Sequence, residues 1–180
     1  MSLKTLSLLA GAVMGLAAAT PASAITYVYA ASLSGLTENP PNASPGTGVA
    51  AVAFDTTTLT VSVTEFFSGL TAPTTASHIH CCAAPPTNAS VALAFTGFTT
   101  GVTSGIYSNS FTLGSTAFYT MLTGAAAGQA YVNVHTTAFA GGEIEGYLQG
   151  PTAVVPEPGT YALMLAGLGA VGFIVRKRQA

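Results

Sequence analysis

Between Ala24 and Gly159 the chain contains neither lysine nor arginine. Its four cations sit at the ends: Lys4 near the start, and Arg176, Lys177 and Arg178 at the close. The acids Glu38, Asp55, Glu65, Glu143, Glu145 and Glu157 all fall in the cation-free stretch, so the formal net charge of −2 hides a strong asymmetry. A surface without cations cannot release counterions from a phosphate backbone, which excludes nucleic acid as a partner. The scarcity extends further. Asp55 is the single aspartate, and no basic side chain is available to stabilise an oxyanion, so an enzymatic site is hard to assemble. Gly141-Gly142 lacks phosphate-loop spacing. With only Cys81 and Cys82, no ordinary long-range disulfide can form.

Long apolar runs are confined to the two ends. Lys4 precedes an apolar run from Leu6 to Ala19, and Pro21 precedes Ala22-Ser23-Ala24, an A-x-A cleavage site. Residues 1–24 therefore read as a secretory signal helix removed by signal peptidase after Ala24. At the other end, Pro156-Glu157-Pro158 leads into an apolar run from Tyr161 to Val175, closed by Arg176-Lys177-Arg178. This tripartite tail resembles the PEP-CTERM sorting domain of Gram-negative bacteria that make extracellular polysaccharide. The resemblance implies recognition by an exosortase and cleavage near Pro-Glu-Pro. At 1.5 Å per residue the run spans about 22 Å, short of a roughly 30 Å hydrocarbon core. It reads as a transmembrane helix making a transient inner-membrane stop, with its basic end cytoplasmic. A permanent tail anchor is the alternative.

The middle, residues 25–150, alternates short apolar runs with glycine and proline punctuation, the pattern of an all-β domain. Expected strands are Tyr27 to Leu33, Val49 to Phe54, Leu59 to Phe67, His78 to His80, Val91 to Phe95, Ser108 to Leu113, Tyr131 to His135 and Glu143 to Gln149. In the third, a period of two puts Leu59, Val61 and Val63 on one face. One short helix is expected over Ser115 to Leu122, capped by Ser115 and stopped by Gly124. About eight strands fit a two-sheet Greek-key β-sandwich, immunoglobulin- or superoxide-dismutase-like. Residues 151–159 read as a linker to the 160–180 tail.

Several phrases in this middle resemble a CHRD domain. They are Ala31-Ser32-Leu33-Ser34-Gly35 with Glu38 and Pro40-Pro41, Ser77-His78-Ile79-His80, Tyr131-Val132-Asn133-Val134-His135-Thr136, and Gly142-Glu143-Ile144. The resemblance spans Ala31 to Gly150 and implies an extracellular β-sandwich without a defined activity. Where that family usually carries arginine, this chain carries Glu145.

All three histidines of the chain, His78, His80 and His135, lie in those phrases. Residues two apart on a strand project from one face, so His78 and His80 can offer two imidazoles to one ion. His135 completes a set suited to Zn²⁺ or Cu²⁺ if its strand is a neighbour, with Glu143 as an outer carboxylate. The competing reading is three structural histidines bonded to backbone carbonyls. Cys81-Cys82 reads as a vicinal disulfide in a tight turn; a soft His-x-His-Cys-Cys ligand set and an intermolecular bridge are the alternatives. Glu143 and Glu145 read as a shared, solvated face at a sheet edge. Together these features predict an exported, non-enzymatic cell-surface or extracellular-matrix domain associated with exopolysaccharide. A copper- or zinc-binding metalloprotein is the alternative.

Overall fold

The structure is a computed structural model in which residues 25–154, together with 167 and 168, are described. The expected signal helix, and the Pro156 to Arg178 tail apart from residues 167 and 168, lie outside the described residues. Among the described residues no helix is long and apolar enough to cross a membrane.

The domain is mostly β. Its strands are β1 (Thr26–Ser34), β2 (Thr47–Asp55), β3 (Thr60–Ser68), β4 (Thr74–Cys81), β5 (Val91–Ala94), β6 (Gly105–Thr112), β7 (Ala130–Thr136), β8 (Ile144–Tyr147) and β9 (Gln149–Val154), with one helix, α1 (Ser115–Ala126), between β6 and β7. They form one antiparallel sheet in the order β5-β4-β7-β8-β1-β2-β3-β6, with β9 also paired to β1. The expectation of two separate sheets is thereby corrected. The reason lies in β1, which meets β2 along its whole length, β9 at its start and β8 at Ser34↔Glu145. The expected strand from Glu143 to Gln149 is in fact two short ones. They let the chain pass from β7 to β1 and tie the halves together.

The sheet curls until its ends meet. The Leu70 N–H donates to the Thr103 carbonyl at 3.1 Å and the Thr74 N–H to the Val102 carbonyl at 2.8 Å. The Phe95 and Tyr107 rings stack with centroids 5.2 Å apart. The enclosed core follows from the period of two: Val52 and Phe54 on β2, Val61, Val63 and Phe67 on β3, Val132 and Val134 on β7. Leu59 lies outside the strand, in the turn before β3 with φ of 54°, yet still packs partly buried against the core that holds Val61 and Val63. Glu65 keeps the inward phase of Val61 and Val63, so its carboxyl is fully buried.

Helix α1 closes the curl through Phe118, Met121 and Ala125, and Phe118 meets Phe54 edge-on with centroids 5.7 Å apart. Two expected signals are displaced. The N-cap is Gly114, which makes no side-chain bond, and the helix runs through Gly124 to Ala126. The stop is Gly128, whose φ of +68° turns the chain while its N–H bonds the Ala125 carbonyl at 3.1 Å.

Candidate metal centre

β4 and β7 are antiparallel neighbours, with His78 opposite Asn133 and His80 opposite Tyr131. Alternation turns Ile79, Val132 and Val134 into the core and leaves His78, His80, Tyr131, Asn133 and His135 on the other face. That face is covered in turn by the segments around Ala89 and Ala140, so Tyr131, Asn133 and His80 are also buried.

The two covering segments orient the rings. Nδ1 of His80 donates to the Ala89 carbonyl at 2.8 Å, and Nδ1 of His135 donates to the Ala140 carbonyl at 2.9 Å. A carbonyl can only accept, so both Nδ1 atoms carry the proton and both Nε2 atoms keep a lone pair. The His80 Nε2 is buried without a hydrogen-bond partner. The His135 Nε2 accepts from His78 Nδ1 at 3.1 Å, and the Asn133 Oδ1 lies 3.1 Å from the same nitrogen, so the Asn133 amide bonds that lone pair only when its NH₂ is turned to face it. One ligand atom from each of the three rings lies within 4.8 Å of the other two.

Tetrahedral ligands at about 2.1 Å from an ion stand roughly 3.4 Å apart, so the His78–His135 pair already has a binding separation. A separation of 4.8 Å must close by about 1.4 Å to reach that value. Electrostatics favour neutral, ligating rings. Burial, then the neighbouring His135 and His80, pull His78 down to about 4. Burial and His80 lower His135 against the opposing pull of its bond to Ala140.

Residues 29–148 match the CHRD domain family, and residues 154–179 match the PEP-CTERM protein-sorting motif. The chain belongs to the CHRD domain family. The sorting motif marks it as an exported bacterial protein of the cell envelope, processed by an exosortase. No curated protein and no solved structure matches the chain.

Other residues singled out in this CHRD domain lie apart from the histidines. Glu143 is not an outer ligand, because its carboxylate is held elsewhere. Oε1 accepts from the Ser44 hydroxyl at 2.6 Å, the Thr71 N–H at 2.6 Å and the Thr71 hydroxyl at 2.9 Å, and Oε2 accepts from Thr136 at 2.7 Å. Burial opposes its ionisation, but those four bonds outweigh burial and hold Glu143 below the usual carboxylate range. It ties the β1–β2 and β3–β4 connections to β7. The solvated pair expected of Glu143 and Glu145 is corrected too, since both are buried and have different neighbours. Burial pushes Glu145 up to about 7, and its charge adds to the burial that raises Glu38.

Cys81 and Cys82 are joined as a disulfide, with both sulfurs against Gly124 and near the Thr120 carbonyl of α1. Strand alternation separates Cys81 from the imidazole face, and the bond to Cys81 holds the Cys82 sulfur against α1 with it. The soft His-x-His-Cys-Cys ligand set is therefore excluded by geometry. Asn133 and Tyr131 were missed as part of the centre, although the alternation that pairs Tyr131 with His135 was readable. The ring of Tyr131 stacks on His80 with centroids 4.8 Å apart, which fixes the imidazole plane.

Proposed function

We propose that this CHRD domain is a non-enzymatic, exported envelope protein that holds one Zn²⁺ or Cu²⁺ ion through His78, His80 and His135, in association with the exopolysaccharide layer of a Gram-negative cell. The single observation that carries the metal reading is the convergence of three ring nitrogens on one sheet face, with the buried His80 Nε2 unpartnered. A purely structural histidine has both polar atoms accounted for, whereas an orphaned lone pair in a buried site is costly. Bonds from Nδ1–H to backbone carbonyls are the usual outer support of a metal-ligating imidazole. The ion would take the place of the proton between His78 and His135, that proton moving to the other nitrogen of the His78 ring, so neutral rings would bind it and binding would weaken in acid, where the rings take up a second proton. An all-nitrogen set favours zinc or copper over calcium or magnesium. The exopolysaccharide association rests on the sorting motif and on a domain without lysine or arginine, which gives soluble surface behaviour without retaining polyanions.

The test is elemental analysis of the full chain, purified without a His-tag, beside a His78→Ala/His80→Ala variant. The expected result is close to one zinc or copper per chain, falling by tenfold or more in the variant. Folded protein that carries neither metal and takes up neither on addition would leave three structural histidines and remove the metal from the function.

A further inference from the structure

The bonded pair Cys81–Cys82 serves neither the core nor the histidine face. A disulfide restricts the unfolded chain less as the loop it closes shortens, and a bridge between neighbouring residues closes almost none. As a staple it contributes little. No third cysteine is present, so the pair cannot reshuffle within the chain, and any exchange partner must come from outside. The bond is open to such a partner. Cys82 is exposed and Cys81 half-buried. Cys82 lines a groove of about 520 Å³ beside α1, together with Thr116, Tyr119, Thr123 and Gln129.

The helix side of that groove can accept from thiols. The Thr120 carbonyl lies 3.6 Å from Sγ of Cys82 and 3.9 Å from Sγ of Cys81. A bonded sulfur has no hydrogen to give, whereas each thiol of a reduced pair is a weak donor, so this acceptor serves the reduced form alone. Nothing nearby favours a thiolate. Residues 25–154 contain no lysine or arginine, and the imidazole of His80, one residue away, is held to Ala89 on the other face of β4. The reduced pair therefore stays protonated, and the attacking thiolate belongs to the partner. Breaking the bond also moves the two sulfurs apart to non-bonded contact distance. Both already press on Gly124 in the oxidised chain, so α1 feels that separation.

We propose that Cys81–Cys82 is a redox exchange site, which takes two electrons from a dithiol entering by the α1 groove and loosens α1 when it does. One thiolate of the dithiol attacks Sγ of Cys82. The S–S bond breaks, and Sγ of Cys81 leaves with the bonding pair and takes up a proton. The second thiolate of the dithiol then attacks its partner sulfur in the mixed disulfide, and Sγ of Cys82 leaves and is protonated in turn. The protein disulfide becomes two thiols and the dithiol becomes a disulfide, with two electrons and two protons transferred. The site goes beyond the metal reading and does not depend on it, because the imidazoles take no part.

The experiment treats the full chain in detergent with dithiothreitol at about pH 8 and low salt. The reagent is removed, freed thiols are alkylated with iodoacetamide, and the products are counted by mass spectrometry. Thr123→Lys and Thr123→Glu variants run in parallel; the position is exposed, so both fold as the parent does by circular dichroism. The expected result is alkylation of both cysteines in a chain that keeps its sheet, with amide exchange in α1 about tenfold faster than in the oxidised chain. Charge at the groove steers the anionic thiolate, so Thr123→Lys is reduced about fivefold faster than Thr123→Glu. Alkylation only after urea is added, loss of the sheet on reduction, unchanged exchange in α1, or equal rates in the two Thr123 variants would each overturn the proposal.

Discussion

Between about pH 6.5 and about pH 8 the metal-free fold loses stability as pH rises, and Glu65→Gln removes a part of that loss as large as that of any other single group. Glu65 sits on β3 among the core side chains, fully buried, and neither of its oxygens has a hydrogen-bond partner. The Ser77 hydroxyl beside it donates to the Asn133 carbonyl at 2.7 Å, so it opposes the effect of burial only weakly. Burial raises Glu65 from 4.5 to about 8. The folded chain therefore keeps a proton that the unfolded chain releases, and stability declines as pH climbs towards the folded value. Glu38, at about 8, and Glu145, at about 7, act in the same direction. His78 and His135 act oppositely, because the unfolded chain protonates them below 6.5 while the fold resists. Their effect is confined to the acid side, and above about pH 6.5 the glutamates act alone. A group protonated only in the fold contributes about 1.4 kcal/mol per pH unit, so Glu65 accounts for about 2 kcal/mol across the interval. Urea denaturation at a series of pH values, with chelator present, measures this directly. The parent midpoint should fall steadily with pH and the Glu65→Gln midpoint should fall less. Parallel curves would mean that the Glu65 carboxyl ionises in the fold without penalty.

How far such features could be read in advance depends on how local their causes are. The third strand shows its inward phase in Val61 and Val63, and the same phase carries Glu65 into the core, so that buried acid was legible in the alternation. The His78, His80 and His135 face was legible for the same reason, once β4 and β7 are neighbours. β4 itself starts at Thr74, earlier than its pattern suggests, because Thr74-Thr75-Ala76-Ser77 offers no apolar alternation. Residues 151–154 of β9 read as linker, since Gly150 and Pro151 are poor strand residues; their backbone is strand only because β1 has bonds to give, as in Tyr27↔Ala153. Closure of one curled sheet depends on the pairing Ser34↔Glu145. No local pattern encodes a contact across that sequence distance.

Replacing Gly124 with alanine should destabilise the fold by about 2 kcal/mol, although the same change in an isolated helix would stabilise it by about 1 kcal/mol. Glycine inside α1 is a weak helix former and reads from sequence as a stop, but here it is a docking point. A Cβ at this position would collide with Sγ of both Cys81 and Cys82, which lie against the helix backbone. The helix cannot retreat, because Phe118 and Met121 on the same element are fixed in the core. The clash must be relieved by shifting either the end of β4 or the helix, and overpacking of this sort costs about 1–3 kcal/mol. The argument is separable from general intolerance at the site by a double-mutant cycle. In a Cys81→Ala/Cys82→Ala background the sulfurs are gone and only the Cβ of residue 82, at 3.2 Å, still crowds the site, so Gly124→Ala should become close to neutral. The two changes therefore couple by about 2–3 kcal/mol in thermal or urea denaturation. Gly124→Ala that stabilises the parent chain would mean that the sulfurs do not press on the helix. Equal destabilisation in both backgrounds would assign the cost to some other neighbour.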